Sequence, residues 1–513
     1  MRGKTAKIFL GLSAGAFLFV LSVNTALCAS LAERPKNIIL MISDGQGFNT
    51  IQATNYYTGS TAVYEDFDVK YAMKTNSANN PAGYSSAGMA ADFDYAKSGA
   101  TDSASAATAM YTGQKIYDGV INMTTTGQPI TTYFENAAMV GKSVGAVSSV
   151  EFSHATPAAV YAHNTSRNNY AEISNEGIYG SNANSHNAYY DAQNYNGNLK
   201  VLMGAGHGDY DDNGAYDPSR TDNYVGGTAT WNDIKDGAPN GWTYVDTKAG
   251  FEAVANGTSN PDKLLGVAQI NTTLQQSRNG YNTGDAPYDD PLNAHVPTLE
   301  TMTKAALNVL DNNPNGFAVM IEGGAVDWAN HANQLGRMIE EQIDFDSSVQ
   351  AVVDWVTMNS SWDETLLIVT ADHECGHLWG TGGLEFIDNN DNGIYDSGID
   401  TFLAYKQIVD NGAGNLPGGE FFSTGHTNAL VPLFAKGAGS DLFEKYVVGT
   451  DGNLAAIYGL DSSWTGQYVD NTAVFGVMNE AAPVPVPSTA LLFFTSLLVL
   501  PPLKKKWGKK DNE

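Results

Sequence analysis

Four short apolar segments, separated by helical patterns, constrain the fold of this chain more than any other feature. They are residues 38–42, 144–150, 317–321 and 366–369. Each is short and mostly apolar, which is typical of a parallel strand buried on both faces. Helical spacing lies between them, for example at Leu299, Met302 and Ala306, and again across residues 335–356. Strands that alternate with helices predict an α/β fold, in which a central mixed, largely parallel sheet is flanked by helices on both faces.

Polar side chains that can bind metal ions follow every one of these segments. In chain order they are Asp44, then His154 and Thr156, then Glu322, and then Asp372 and His373. Ligands of α/β sheets bind beyond the carboxyl ends of the strands, so these side chains are expected at one edge of the sheet. The pattern therefore predicts a metal-binding site at that edge.

Two further segments carry residue types that bind metal ions. Asp327 and His331 are spaced four apart, which places both side chains on one helix face, although this spacing is common without a metal. Gly323 and Gly324 precede them and let the backbone pass close to bound ions. His426 stands just before another apolar segment, and a structural histidine is the simpler alternative there.

Ser103 lies in a segment of small residues, "TDSASAATA". Small side chains let the N-terminus of a helix approach an anion. Ser103 would then be a nucleophile whose alkoxide is stabilised by metal rather than by a histidine base. An ordinary N-cap formed by Asp102 or by Ser103 itself is the alternative.

Together these blocks resemble the alkaline phosphatase family. They are "NIILMISDGQG", "TDSASAATA", "SHATPAAVYAHNTSR", "MIEGGAVDWANH", "VTADH" and "STGHTN". They cover about residues 36–167, 297–376 and 422–437, and their order and content are highly specific. The resemblance implies hydrolysis of small phosphate monoesters through a phosphoserine intermediate, with release of inorganic phosphate.

The resemblance also implies a set of roles, with two zinc ions and one magnesium ion as cofactors. Asp44, Asp372 and His373 would hold the zinc beside Ser103; Asp327, His331 and His426 the second zinc; and Asp44, Thr156 and Glu322 the magnesium. Arg167 would grip two phosphate oxygens with its planar guanidinium. Many members form homodimers, so the resemblance makes a homodimer a candidate assembly, but the sequence carries no interface signal and leaves the oligomeric state open.

Three residues depart from the family's usual pattern. His154 stands where some members have an aspartate near the third metal, so it is a candidate ligand there and the identity of that ion stays open. Trp328 is expected to line the phosphate site, where other members place a polar or basic group. Cys375 follows His373 by two residues, and either coordination or simple packing is consistent with that position.

Two segments outside these blocks share the pattern D-x-[DN]-x-N-G-x-Y-D. Their candidate calcium ligands are Asp209, Asp211, Asn213 and Asp217 in the first, and Asp388, Asn390, Asn392 and Asp396 in the second. Alternating oxygen ligands with a glycine at the sixth place resemble the start of an EF-hand loop. The twelfth positions, Arg220 and Ile399, lack the usual glutamate. Polar turns without metal are therefore the alternative.

The two ends of the chain read as targeting segments. Residues 1–29 have the pattern of a signal peptide, and residues 481–513 combine prolines, an apolar stretch and lysines. That tail resembles the PEP-CTERM sorting signals of Gram-negative bacteria, with a simple membrane anchor as the alternative. We expect export to the periplasm or cell surface, and sorting machinery as a partner of the tail. Between the ends, residues 30–480 are predicted to form one catalytic domain, in which residues 168–296 are a long insertion over the active site.

The formal net charge of −28 repels nucleic acid, so none is expected as a partner. Two rival functions remain at this point. A phosphodiesterase or sulfatase of the same superfamily is one, and a non-enzymatic, calcium-binding surface or matrix protein is the other. The serine nucleophile with the Thr156 and Glu322 pair speaks against the first, and an intact set of metal ligands around Ser103 against the second.

Overall fold

A computed structural model describes residues 34–180 and 197–482 of the chain. The predicted signal peptide, residues 483–513 of the predicted tail and residues 181–196 of the predicted insertion lie outside the described residues. Within the described part, no helix is both long enough and apolar enough to cross a bilayer.

The described residues form seventeen strands, and eleven of them build one large sheet. In chain order the strands are β1 Asn37–Ser43, β2 Val69–Lys74, β3 Ser143–Glu151, β4 Leu199–Ala205, β5 Thr243–Val245, β6 Leu264–Val267, β7 Phe317–Gly323, β8 Thr365–Thr370, β9 Glu374–Cys375, β10 Leu378–Gly380, β11 Leu384–Ile387, β12 Thr401–Tyr405, β13 Gly419–Phe421, β14 His426–Thr427, β15 Val431–Gly437, β16 Val447–Thr450 and β17 Gln467–Asp470. The large sheet has the order β16-β17-β2-β15-β8-β1-β7-β3-β4-β6-β5.

The four predicted strands are confirmed, and they lie side by side at the centre of this sheet as β8, β1, β7 and β3. All three pairings among them are parallel. β15 runs antiparallel to β8 and β2, so the sheet is mixed and largely parallel as the sequence predicts.

Helices cover both faces of the sheet, which explains why the central strands are mostly apolar. Ile38 and Leu40 of β1 point into one hydrophobic core, while Ile39 and Met41 point into the other. Burying an aliphatic side chain of this size stabilises the fold by roughly 1.5–3 kcal/mol. A strand buried on both faces cannot alternate apolar with polar residues.

Thirteen α-helices occur in the described part of the chain. They are α1 Phe48–Thr58, α2 Ser86–Ala91, α3 Ser103–Thr112, α4 Tyr133–Met139, α5 Ala155–Ala158, α6 Tyr170–Tyr179, α7 Thr228–Lys235, α8 Lys248–Ala255, α9 Leu299–Leu310, α10 Ala325–His331, α11 Leu335–Asn359, α12 Leu454–Tyr458 and α13 Thr472–Ala481. Residues of α3, α4 and α13 belong to one core, and residues of α9 and α11 to the other.

The region predicted as an insertion over the active site is partly a continuation of the sheet. β4, β6 and β5 extend the edge next to β3 by parallel pairing. Their sequence signal is weak because β5 and β6 are short and the segments between them are rich in Asn, Gly and Asp. Among the described residues of this region, Gln276 and Ser277 line the cleft that is described below.

Candidate active site

The carboxyl ends of the central strands place four buried carboxylates together. Asp44 directly follows β1, Glu322 is the next-to-last residue of β7, and Asp372 follows the end of β8 by two residues. The fourth, Asp327, lies on α10, which begins just after β7. Gly45 makes this approach feasible, because its φ of +75° is left-handed and a Cβ there would lie 2.8 Å from the Cα of Asp327.

Asp44, Asp372 and His373 form a first group, which we call the inner site. One nitrogen of His373 lies near three oxygens, two from these aspartates and one from Ser103. Nε2 of His373 lies 3.2 Å from Oδ2 of Asp372, 3.5 Å from Oδ1 of Asp44 and 3.3 Å from the hydroxyl of Ser103. Ligands about 2.0–2.2 Å from one tetrahedral zinc ion are separated by roughly 3.3–3.6 Å. The donor set and its spacing therefore fit one zinc ion.

The same distances exclude a Ser-His-Asp triad. In a triad the aspartate holds the imidazole nitrogen that faces away from the serine. Here both aspartates and Ser103 face Nε2 of His373, while its Nδ1 has no hydrogen-bond partner among the described residues. One N–H cannot serve three oxygens, whereas a cation among them can.

A second group, the outer site, consists of Asp327, His331 and His426. The two Nε2 atoms are 3.0 Å apart, and they lie 3.3 Å and 3.4 Å from the oxygens of Asp327. Each imidazole is oriented from behind by a backbone carbonyl. Nδ1 of His331 donates to Thr424 O at 2.5 Å, and Nδ1 of His426 donates to Thr101 O at 2.8 Å. Both Nε2 lone pairs are thereby left facing the same point, as in metal sites.

Electrostatics within these two sites favours bound cations. Burial, followed by repulsion from Asp372, raises the pKa of Asp44 well above its usual range. Burial and Asp327 raise the pKa of Asp372 to about 6. The hydrogen bond between His331 and Asp327 raises the pKa of His331 to about 9. Buried like charges cost several kcal/mol each unless they are compensated, so divalent ions are the natural partners of this arrangement.

A third group lies deeper, around Glu322 and Thr156. Both side chains are fully buried, and Oε1 of Glu322 and Oγ1 of Thr156 have no hydrogen-bond partner among the described residues. Ser148 donates to the other carboxylate oxygen of Glu322. Burial raises the pKa of Glu322 to about 8. With the unpartnered oxygens of Asp44, this is an oxygen-only donor set, which suits magnesium better than zinc.

Arg167 reaches the same region from the segment that follows α5. Its Nη1 donates to Oδ2 of Asp102 at 2.9 Å, and its Nη2 lies 3.2 Å from Nε2 of His154. Oδ1 of Asp102 also accepts from the backbone N–H of Ser105, which caps α3. One carboxylate therefore both begins the helix that presents Ser103 and aligns the guanidinium.

Comparison with known proteins identifies the family of this chain. The model of the alkaline phosphatase family matches residues 35–401 of the chain. The protein belongs to the alkaline phosphatase family.

Individual relatives agree with this assignment. Alkaline phosphatase H of Pseudomonas aeruginosa is 30% identical over 361 residues, covering 68% of this chain and 71% of that protein. Alkaline phosphatase 3 of Bacillus subtilis is 28% identical, but the matched part spans only 61% of its length and 66% of this chain. A solved alkaline phosphatase mutant of the Antarctic bacterium TAB5, with Mg bound in its M3 site, has the same fold. Its TM-score is 0.56 at 23% identity, and the match covers 88% of this chain and 99% of that one.

His154 has a different environment from the one expected of a third-metal ligand. Its ring lies at the N-terminus of α5, 5.8 Å from the ring of Trp328. Burial and the neighbouring Arg167 lower the pKa of His154 to about 3. Because Nε2 of the neutral ring accepts from Arg167, that lone pair is not offered to an ion in this arrangement. A metal-binding role for His154 stays a prediction.

The open cleft above these groups has a volume of about 900 Å³. Six predicted site residues line it: Ser103, Arg167, Asp327, Trp328, His331 and His426. Asp102, Asp118, Gln276 and Ser277 also line it and were not predicted as site residues. The sequence marks Asp102 only as a candidate N-cap, because its pairing with Arg167, 65 residues away, depends on the fold.

The two candidate calcium loops differ in geometry. In the first, Asp209 accepts hydrogen bonds from Trp231 and Lys235, so its carboxylate turns away from the loop. In the second, the amides of Asn390 and Asn392 both donate to Oδ2 of Asp396 at 2.7 Å. The oxygens of Asp388 in that loop accept from three backbone N–H groups. The second loop therefore gathers its polar side chains, while the first disperses them.

Proposed function

We propose that this protein hydrolyses phosphate monoesters, with Ser103 as the nucleophile and a phosphoserine as the intermediate. The observation that carries the proposal is the convergence of the Ser103 hydroxyl with Asp44 and Asp372 on one nitrogen of His373. Family membership supports the reaction class.

The roles of the chain's own residues follow from their positions. Ser103 is the first residue of α3, where the backbone N–H groups of the helix favour an anionic phosphate. The bond from its oxygen to phosphorus forms as the ester oxygen leaves, and water then cleaves the phosphoserine to release inorganic phosphate. The Arg167 guanidinium binds phosphate oxygens, and Asp102 fixes its orientation. Divalent ions, when bound, stabilise the serine alkoxide and the developing negative charge.

We assign zinc to the inner and outer sites and magnesium to the third. Mixed imidazole and carboxylate donors suit zinc, and the oxygen donors of Asp44, Thr156 and Glu322 suit magnesium. Magnesium in the M3 site of a neighbour with the same fold supports the second assignment.

The test combines metal content with substrate class. Mass spectrometry of the purified protein should find about two zinc ions per chain, with magnesium in addition. Turnover of p-nitrophenyl phosphate should exceed that of bis(p-nitrophenyl) phosphate and of p-nitrophenyl sulfate by roughly 10³-fold or more, because the site is built to bind a dianionic phosphate. Preferred turnover of the diester or of the sulfate would favour the rival reactions.

Replacing Arg167 is expected to weaken phosphate inhibition as well as catalysis. Arg167→Ala removes the guanidinium and its charge-assisted hydrogen bonds to phosphate. Each such bond contributes about 1.5–3 kcal/mol, so the inhibition constant of inorganic phosphate should rise at least ~10-fold. Arg167→Lys should recover only part of this, because an ammonium cannot bind two oxygens in the same planar geometry. Competitive inhibition assays measure both values. An unchanged inhibition constant in Arg167→Ala would place the residue outside the substrate site.

Calcium in the Asp/Asn loops is a separate proposal, supported by their repeated sequence pattern. The second loop is the stronger candidate because its polar side chains gather around Asp396. A calcium-selective chelator should lower the melting temperature while zinc content stays constant. Asp388→Ala should remove most of that response and Asp209→Ala less of it. Identical melting of the wild type across a calcium titration, with no calcium in the purified protein, would leave polar turns as the explanation.

Export, processing of the tail by sorting machinery and homodimer formation also remain proposals. The signal-like residues 1–29 and the proline-rich, lysine-ended tail support the first two. Cell fractionation with N-terminal sequencing of the mature protein tests export, and light scattering tests the dimer.

A further inference from the structure

A short antiparallel pair brings Cys375 to the outer site. In β9 and β14, Cys375 lies directly opposite His426, and cross-strand partners of this kind have adjacent side chains. The backbone N–H of Cys375 donates to Gly45 O at 3.1 Å, which ties it to the turn that packs on Asp327. Gly376 then turns the chain with a φ of +88°, a conformation that favours glycine. The position of the cysteine is thus set by backbone contacts on two sides.

The thiol faces the ligands of the outer site. The sulfur, one oxygen of Asp327 and one nitrogen each of His331 and His426 all lie within 4.8 Å of one another. Asp327 is only 4% exposed, and its Oδ1 forms no hydrogen bond with a described residue, although Nε2 of His426 lies 3.4 Å from it. A bound ion, or a hydrogen bond from the nearby thiol, would satisfy this buried oxygen.

The sulfur lies on the buried side of this group. Cys375 has no exposed surface, whereas Asp327, His331 and His426 all line the cleft from which substrate approaches. A catalytic zinc ion keeps three protein ligands and leaves a position for water or substrate. Asp327, His331 and His426 already supply three. Carboxylates that bind metal are usually held by a further hydrogen bond, and the thiol is placed to provide one.

We propose that Cys375 is a positioning residue of the outer site, whose thiol donates to Asp327 and holds that carboxylate in its metal-binding orientation. This inference rests on the proposed function, because it assumes an ion held by Asp327, His331 and His426.

The test measures zinc release rather than turnover. The holoenzyme is mixed with a coloured chelator, and the release phase that disappears in His331→Ala is assigned to the outer ion. Cys375→Ala should speed that phase ~10-fold or more, the usual effect of losing a residue that supports a metal ligand. Cys375→Ser keeps a hydroxyl donor of similar size, so its release rate should stay within about threefold of wild type. The release of the inner ion should change little in either variant.

Controls separate this role from packing and from direct ligation. Val431→Ala, in the main apolar core, should lower thermal stability without changing zinc release. Cobalt-substituted wild type should show no sulfur-to-cobalt charge-transfer band; a band that is lost in Cys375→Ser would show direct ligation and overturn the proposal. Equal release from Cys375→Ala and wild type would also overturn it, while leaving the proposed function intact if both proteins bind zinc and hydrolyse monoesters. A wild type without zinc and without activity would contradict both.

Discussion

Replacing Ser103 with alanine is expected to lower the turnover number for p-nitrophenyl phosphate by roughly 10³-fold or more, the scale seen when a covalent nucleophile is lost. The fold should persist, because Asp102 and not Ser103 caps α3. Zinc should remain bound, because Asp44, Asp372 and His373 are unchanged. Steady-state kinetics, melting and metal content together check the three expectations.

Acid trapping identifies the intermediate itself. Wild type quenched during turnover should carry phosphate on one peptide, the one that contains Ser103, and Ser103→Ala should carry none. Ser98→Ala is a matched control, since Ser98 is an exposed serine five residues before Ser103 whose hydroxyl donates to Tyr95 O. Activity of Ser103→Ala close to that of wild type would rule out this nucleophile.

The central sheet could be predicted because a strand buried on both faces has a strong signature. β1, β3, β7 and β8 each contain an apolar run that is buried on both faces, and polar side chains follow or end each run. The outer strands of the sheet have no such signature. β5 has only three residues, the first exposed and the other two half-buried, so it is too short to show a periodic or continuously apolar pattern in the sequence.

The candidate site could also be predicted only in part, because its side chains have a signal in the sequence and its backbone contacts have none. Residue types and spacing, together with the family resemblance, predicted the residues that the structure brings together, such as Asp327 with His331 and His426. They did not predict the carbonyls of Thr424 and Thr101 that orient the two imidazoles, because a carbonyl group belongs to every residue. Such contacts depend on tertiary structure. The same holds for the contact between Cys375 and the outer site, which depends on the pairing of β9 with β14.

Removing the metal ions is expected to abolish activity. It is also expected to reverse the effect of Asp44→Asn on the melting temperature, relative to wild type. Stripped wild type should lose at least ~10³-fold in turnover, since no cation then stabilises the alkoxide of Ser103. Added zinc should restore activity to wild type. It should not restore activity to Asp44→Asn, because Asp44 contributes to the inner site and to the third site.

The free energy of unfolding of the stripped protein should depend on pH. The raised pKa values of the buried carboxylates set the direction of this dependence. The folded-state pKa of Asp44 is raised, that of Asp372 to about 6 and that of Glu322 to about 8. In the unfolded chain these groups ionise near pH 4. The unfolded state therefore releases protons first as the pH rises, so the free energy of unfolding of the stripped protein should fall from about pH 4 to about pH 8.

Comparison with the zinc-loaded protein isolates the site from the rest of the chain. Glu151 and Glu341 are buried acids elsewhere with pKa values also raised to about 8, and they act equally in both forms. The difference in melting temperature between loaded and stripped protein should therefore widen with pH as zinc replaces protons on the site carboxylates. Asp44→Asn removes one of the repelling charges, so above pH 7 its stripped form should melt higher than stripped wild type, while with zinc wild type should melt higher. A stripped wild type that is as stable as the loaded one at every pH would contradict metal binding by these carboxylates, since their mutual repulsion would then need no cation to offset it.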